Sequence, residues 1–213
     1  MKRSANRPAG ETNMITIDFE NQTAYKAEEK WLPEIEAYIK KTLVTEGIDL
    51  SLNTYEISLT WVEPDTIHRL NAEYRGIDRE TDVLSFPMYN FPEDQDVLST
   101  PADVPVLLGD IVLNPARAKA QGEEYGTGME REMCYLSVHS TLHLLGYDHM
   151  APEDKKKMRA REKAVIGDVG TPLASQNIQE GENQSNGCGK VFITPLKALA
   201  TLLKPSRICA FTR

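Results

Sequence analysis

Three of the four histidines in this sequence fall within eleven residues, as His139, His143 and His149. Positions i and i+4 of an α-helix lie above one another on one face, so His139 and His143 can present two imidazoles to one ion. Gly146 can adopt a left-handed conformation, end the helix and turn the chain back, which lets His149 supply a third ligand. Three protein ligands with one open position are typical of a catalytic zinc ion. The spacing therefore predicts a single zinc site on these histidines.

The chemistry expected of such a site is hydrolysis, because zinc lowers the pKa of a bound water molecule towards about 7. The spacing H-x-x-x-H-x-x-G-x-x-H is that of the metzincin proteases, which place a glutamate after the first histidine as general base. Ser140 occupies that position here, and a hydroxyl cannot replace a carboxylate in this role. A protease is therefore disfavoured unless Glu130 or Glu132 reaches the metal. Asp148 could orient a ligand histidine, and it could equally cap the turn.

The elements that must position these side chains follow from the hydrophobic pattern. Apolar segments, alternating or continuous, predict strands at residues 14–19, 54–62, 82–87 and 106–114. Apolar spacing and proline starts predict helices at residues 25–46, from Pro64, from Pro115, at 129–146 and from Pro152. Residues 88–105 are expected to form a long loop. This order predicts an α/β or α+β layer rather than a helical bundle.

The chain is expected to hold one folded domain between two polar extensions. Its 213 residues are enough for one sizeable core and few for two. Residues 1–13 are expected to form a disordered leader, and residues 14–170 the domain. Residues 171–213 are expected to form a flexible linker and a short basic and apolar tail. An amphipathic helix around residues 196–203 is expected in that tail, whose role the sequence does not indicate.

Charge and composition narrow the functional classes. The formal net charge is −8; residues 171–213 carry five basic and two acidic side chains, a balance of +3, which leaves −11 for residues 1–170. This negative charge argues against non-specific binding to nucleic acid, where neutralisation of phosphates supplies most of the affinity. A local basic cleft around Arg69, Arg75 and Arg79 would remove this objection. The sequence lacks an apolar run of the roughly 20 residues that span a bilayer, and it lacks a secretory signal. Three scattered cysteines fit a reducing compartment, so we expect a cytoplasmic protein without membrane contact.

Several separated motifs resemble the YbeY family. The matching segments are residues 70–78 and 81–87 (family pattern L-N-x-x-Y-R-x-x-D-x-x-T-D-V-L-S-F-P), 108–111 (L-G-D-I), 139–149 (H-G-x-L-H-L-x-G-Y-D-H) and the charged helix around 158–162. They occur in the family's order and cover about residues 14–167, which makes the resemblance specific. Ser140 replaces a glycine of the family pattern, and residues 171–213 lie outside the resemblance.

This resemblance implies a metal-dependent endoribonuclease that cuts single-stranded RNA, not DNA. It implies a role in ribosomal RNA maturation, notably at the 3′ end of the small-subunit RNA, and in ribosome quality control, with the small ribosomal subunit as partner. The implied fold is α+β, with a mixed, mostly parallel sheet flanked by helices and a zinc helix like that of the metzincins. Zinc, or another divalent metal such as nickel, would be held by His139, His143 and His149.

The resemblance also implies that Arg75 works in the site. A guanidinium can clamp a phosphate through two hydrogen bonds and stabilise charge that builds up on it in the transition state. His68, on the same short helix, could lie nearby or could be an exposed surface side chain. The sequence does not identify the general base. Two other functions stay open: a non-catalytic ribosome-assembly factor in which the metal holds the fold, and a metalloprotease.

Overall fold

The computed structural model describes residues 15–167 and 209–211 of the chain. Its elements, in order, are β1 (Ile15–Asn21), a 3-10 helix (Ala27–Trp31), α1 (Leu32–Thr45), β2 (Tyr55–Trp61), α2 (Pro64–Arg75), β3 (Val83–Pro87), α3 (Asp96–Ser99), β4 (Val106–Leu113), α4 (Pro115–Tyr125), α5 (Met129–Leu144), α6 (Pro152–Ile166) and β5 (Cys209–Phe211). Each strand and helix that the hydrophobic pattern predicts is present in the described part of the chain, with ends that differ by a few residues.

A mixed sheet in the order β1-β2-β4-β3-β5 forms the frame of the domain. Strands β1, β2 and β4 are parallel, whereas β3 runs antiparallel to β4. All five residues of β3 and most of those of β4 are buried, so these two strands are largely apolar runs, whereas β2 alternates between apolar and polar residues. The α+β class with a mixed, mostly parallel sheet flanked by helices is confirmed.

Helix α5 is the centre of the core. Every residue from Arg131 to Leu144 is buried, because α5 packs on β3 and β4 and is also in contact with α1, α4 and α6. Gly122 of α4 permits one of these close contacts, since a Cβ there would lie 2.5 Å from the main-chain carbonyl carbon of Gly128. A helix enclosed in this way has little freedom to shift or tilt. The side chains on α5 are therefore held on a rigid support.

Two helical features differ from the sequence-based expectations. The helix expected over residues 25–46 begins as a separate 3-10 turn, and the α-helix starts at Leu32. Pro33 fits the first turn of an α-helix, where its missing N–H costs nothing, so it favours a helix start at this point. The expected loop at residues 88–105 contains the single turn α3. The extensions at 1–13 and 171–213 lie outside the described residues, apart from β5.

Strand β5 was not predicted. It pairs antiparallel with β3, from Val83 opposite Phe211 to Ser85 opposite Cys209. This pairing gives β3 a neighbour on the side away from β4. The amphipathic helix expected around residues 196–203 lies outside the described residues. Among the described helices, none combines the length and the apolar character that a membrane crossing requires.

We predict that residues 14–170 fold when they are produced alone. The buried core cluster runs from Ile35 to Ile166, so truncation removes only the pairing of β5 from the described contacts. Urea unfolding followed by circular dichroism should stay cooperative, with a midpoint near that of the full-length chain. The truncated protein should be less soluble, because β3 becomes an unpaired edge. A broad, non-cooperative transition in the truncated protein alone would contradict this prediction.

Candidate metal centre

Helix α5 places His139 and His143 side by side in the interior. The two residues are 1% and 2% exposed, and their ring centroids lie 4.6 Å apart. The Nε2 atoms face each other at 3.0 Å. This is the arrangement that the spacing of four residues predicts for one face of a helix.

The end of α5 brings the third histidine to the other two. Gly146 adopts a left-handed conformation (φ +87°) and donates its N–H to the carbonyl of His143, while Tyr147 donates to the carbonyl of Leu142. These two bonds form a Schellman motif, which reverses the chain at a helix end. The half-buried His149 then lies with its ring centroid 5.1 Å from that of His143.

Glycine at position 146 is required by space as well as by conformation. A Cβ on this residue would lie 2.8 Å from the Cβ of Phe91 and 3.0 Å from its carbonyl oxygen. Asp148 fixes the next step of the turn, because its carboxylate accepts a hydrogen bond from the main-chain N–H of His149 at 2.7 Å. Asp148 could have oriented a histidine ring or capped the turn, and this hydrogen bond to the main chain is that of a turn residue.

Two acceptors fix the orientation of the buried imidazoles. The Nδ1 atom of His139 lies 2.6 Å from a carboxylate oxygen of Glu162, and that of His143 lies 2.7 Å from the main-chain oxygen of Tyr147. A carbonyl or carboxylate oxygen accepts, so Nδ1 must carry the proton in each ring. In the neutral rings both Nε2 atoms then present lone pairs, and a contact at 3.0 Å between them is not a hydrogen bond.

The geometry fits a shared cation. One ligand atom from each of His139, His143 and His149 lies within 4.8 Å of the others, so the cluster could hold a metal ion. Tetrahedral zinc with Zn–N bonds of about 2.0–2.1 Å separates two nitrogen ligands by roughly 3.3 Å. The 3.0 Å between the two buried Nε2 atoms is close to this value. Neutral imidazoles with a hydrogen-bonded Nδ1–H are also the form in which histidine binds metals.

Glu162 of α6 belongs to this centre, although sequence reasoning placed it only at the end of the domain. Its second carboxylate oxygen accepts a hydrogen bond from the Tyr135 hydroxyl at 2.8 Å. Together with Met158, Val165 and Ile166 it forms the buried face of α6. A glutamate at the i+4 position of an apolar helical stripe is the signal that could have identified it, since buried carboxylates are almost always paired.

The electrostatics of the centre keep its groups ready to bind a cation. Burial lowers the pKa of His143 well below its ordinary value, and the neighbouring His139 and His149 lower it further. Arg75 adds a smaller lowering effect on the same pKa. For Glu162, burial would raise the pKa of the carboxyl, but its interactions with His139, Tyr135 and Arg159 together outweigh that effect, and the net pKa is lowered. His143 is thus neutral and Glu162 ionised near neutral pH.

A cavity of about 230 Å³ opens beside the histidines and is rich in cations. Arg75 and Arg79, at and beyond the end of α2, line it together with Lys155 and Arg159 of α6. Arg75 also donates a hydrogen bond from Nη1 to the side-chain oxygen of Asn71 at 3.2 Å. The cleft expected from the sequence is therefore present, but α6 supplies half of its cations.

The remaining candidates lie elsewhere. Arg69 does not line the cavity, and its guanidinium donates to Asp65 and Thr66 of its own helix, at 3.4 Å in both bonds. His68 is 43% exposed and contacts Asp78 at 2.7 Å, which is the surface position that was its alternative interpretation.

No carboxylate replaces the missing metzincin glutamate within the described cluster. Glu132 instead accepts a hydrogen bond from the Thr127 hydroxyl at 2.6 Å, and neither it nor Glu130 belongs to the metal-binding group. The Ser140 hydroxyl is buried and has no hydrogen-bond partner among the described residues. The protease interpretation therefore lacks its general base.

A mixed sheet, a buried helix with two histidines and a third histidine on the following turn define a class of protein in which three histidines form a group that could hold a metal ion. The family model described as Endoribonuclease YbeY matches residues 16–170. An Endoribonuclease YbeY of Desulfitobacterium hafniense is 45% identical over 149 residues, covering 67% of this chain and 94% of the relative. One of Bacillus cytotoxicus is 38% identical over 156 residues, covering 73% and 97%.

A solution structure of a Thermotoga maritima protein also matches, with a TM-score of 0.44 and 25% identity, over 71% of this chain and 90% of that chain. The family match and the similarity of the two bacterial relatives together establish that this chain belongs to the YbeY family of endoribonucleases, hydrolases that act on RNA.

We predict that Gly146→Ala lowers metal affinity by about 10- to 100-fold, the range found when groups that orient zinc ligands are changed. The added Cβ meets Phe91 and disfavours the left-handed turn that brings His149 to the site. Competition with a chromophoric chelator measures the affinity. Gly126→Ala is the matched control, because Gly126 also ends a helix at positive φ but has open space around it. Equal loss of affinity in both variants would contradict the role given to the 146 turn.

We predict that the metal-free protein loses stability as the pH falls from about 7 to about 5. The folded-state pKa of His143 lies well below that of the unfolded chain, so in this window the unfolded chain binds a proton that the native state does not. The free energy of unfolding therefore decreases as pH falls. Urea titrations in the presence of a chelator should show this decrease, and His143→Gln should show a shallower one. An identical slope in the variant would rule out His143 as its source.

Proposed function

We propose that this chain is a zinc-dependent endoribonuclease that cuts single-stranded RNA and matures ribosomal RNA, notably the 3′ end of the small-subunit RNA. Participation in ribosome quality control, with the small subunit as partner, is part of the same proposal. One observation carries it: His139 and His149 line the same cavity as four cationic side chains. A metal centre that opens into a basic cleft suits a phosphodiester rather than a peptide.

Zinc is the metal that the donor set favours. Three neutral imidazoles without thiolate or carboxylate ligands match a catalytic zinc centre, and nickel accepts the same ligands. When it is bound, zinc polarises a phosphoryl oxygen and lowers the pKa of bound water. His139, His143 and His149 would hold it, while Glu162 and the Tyr147 carbonyl keep two of these rings in the ligating tautomer.

The cationic side chains have separable roles. Arg75, half-buried and close enough to lower the pKa of His143, would contact the scissile phosphate and stabilise the charge that develops on it. The exposed Arg79, Lys155 and Arg159 would bind neighbouring phosphates and orient the strand. Such a local cluster accounts for RNA binding by a chain whose formal charge is −8.

Two further elements of the proposal concern the substrate and the compartment. The cavity of about 230 Å³ is smaller than the roughly 300–1,000 Å³ of sites for drug-sized ligands, so it suits one segment of a flexible strand rather than a duplex. The buried thiol of Cys134 is free, which fits the reducing cytoplasm.

The nucleophile is water or the RNA 2′-hydroxyl, and the products distinguish the two, because only attack by the 2′-hydroxyl leaves a cyclic 2′,3′-phosphate.

We expect Arg75→Ala to reduce the rate of RNA cleavage by about 10²- to 10³-fold, the effect of removing one donor to a transition-state oxyanion. Arg75→Lys should lose less, because the charge stays while the two-bond geometry is lost. The assay is cleavage of a labelled single-stranded RNA by the zinc-loaded protein, with analysis of the product ends. The same RNA annealed to its complement should be cut far more slowly.

Arg69→Ala is the matched control for this experiment. It removes an arginine from the same helix, but one whose guanidinium is bonded along α2 and does not line the cavity. Its cleavage rate should equal that of the wild type. Equal rates for the Arg75 and Arg69 variants would refute the role of Arg75, and cleavage that survives His143→Ala would show a contaminating nuclease. Absence of cleavage by a zinc-loaded protein that unfolds on chelation would favour a non-catalytic assembly factor.

A further inference from the structure

A nearly buried carboxylate outside the site, that of Glu46 just after α1, meets the two segments that orient the histidine rings. The Glu46 side chain is 8% exposed. One of its oxygens accepts a hydrogen bond from the Tyr147 hydroxyl at 2.6 Å, and the other lies 3.2 Å from Nε of Arg161. Arg161 also donates to the Tyr147 hydroxyl at 3.3 Å. The three side chains therefore form a closed triangle between α1, the turn after α5, and α6.

Tyr147 links this triangle to His143. Its hydroxyl is held by Glu46, while its main-chain oxygen accepts the Nδ1–H of His143 at 2.7 Å. The residue follows Gly146, whose conformation L side chains rarely adopt. A phenol anchored on α1 therefore limits how far this carbonyl can move.

Arg161 links the triangle to His139, the other buried histidine. It directly precedes Glu162, whose carboxylate accepts from Nδ1 of His139 at 2.6 Å. The ion pair with Glu46 thus ties the turn of α6 that carries Glu162 to the end of α1. Both acceptors that set the tautomers of the buried histidines lie on, or next to, a residue that Glu46 holds.

Packing alone does not secure this turn. Tyr147, Glu46 and Arg161 line a cavity of about 370 Å³ that is separate from the basic one beside the histidines. Open volume on this side of the ring removes the van der Waals contacts that hold a side chain in a close-packed core. On this side, the Tyr147 ring is held instead by the hydrogen bonds of its hydroxyl with Glu46 and Arg161.

We propose that Glu46 is a positioning residue of the metal centre, which acts through Tyr147 and Arg161 on the two groups that orient His143 and His139. This inference rests on the proposed metal centre. The three side chains of the triangle neither belong to the histidine group nor line the basic cavity. They restrict the buried histidines to the geometry in which their Nε2 atoms face each other. Loss of the triangle should therefore weaken metal binding more than it weakens the fold.

The test compares variants of the full-length chain. Tyr147→Phe removes the hydroxyl and keeps the ring and the carbonyl, and Glu46→Ala removes the carboxylate. Each should raise the zinc dissociation constant about tenfold, the lower end of the effect of groups that act on zinc ligands. Glu46→Gln should recover part of this loss, because its amide oxygen still accepts from the phenol. Combining Tyr147→Phe with Glu46→Ala should add little to either change.

Tyr55→Phe is the matched control. Tyr55 is a buried tyrosine whose hydroxyl donates to the Leu98 carbonyl at 3.2 Å, a hydrogen bond that does not involve Glu46, Tyr147 or Arg161. Chelator competition gives zinc affinity, and urea unfolding of the metal-free proteins gives stability. The expected result is a metal-free stability loss similar to that of Tyr55→Phe, with weakened zinc binding only in the Glu46 and Tyr147 variants.

Two outcomes would overturn the proposal, and they differ. Wild-type zinc affinity in Glu46→Ala and Tyr147→Phe, with only metal-free stability reduced, would make the triangle a purely structural feature while the metal centre stands. A wild-type protein that binds no zinc, nickel or other divalent ion would refute the metal centre itself, and the positioning role with it.

Discussion

The buried contact between the Nε2 atoms of His139 and His143 imposes a constraint on which much of the structure depends. Each ring carries its proton on Nδ1, so two lone pairs face each other at 3.0 Å. Two facing lone pairs repel each other in neutral rings, and a cation between them would relieve this repulsion. The fold must therefore hold the rings in place: α5 is enclosed on all sides, and Glu162 and the Tyr147 carbonyl fix both tautomers.

The same constraint explains why the centre is built from elements that are distant in sequence. A helix can align two histidines, but it cannot supply the acceptors behind them, because those must approach from other directions. Helix α6 brings Glu162, and the Gly146 turn brings both a carbonyl and the third histidine. The Glu46 triangle sits where these two segments meet α1. The groups that orient the rings are thus distributed over three elements, whereas the three histidines come from one short segment.

Charge is organised in a comparable way. The chain is acidic overall, yet Arg75, Arg79, Lys155 and Arg159 converge on the cavity beside the histidines. Net charge is a sum over the surface, but binding of a phosphate depends on the local field, which low-dielectric walls concentrate. Arg69 and Arg75 illustrate the difference: they lie on one helix, six residues apart, and only Arg75 reaches the cavity. The composition shows that the chain is acidic, but it cannot show that four cationic side chains lie together beside the histidines.

The sequence by itself determined what depends on local periodicity and short spacing. The strands and helices, the i and i+4 histidines, the glycine that ends α5 and the family motifs are all local features, set by backbone geometry within a few residues. Tertiary structure decided what depends on convergence. It selected Glu162 and a main-chain oxygen as the acceptors, added Lys155 and Arg159 to the cleft in place of Arg69, and paired Cys209–Phe211 with β3. These contacts join residues far apart in the chain, and no local pattern encodes which of many polar side chains will meet.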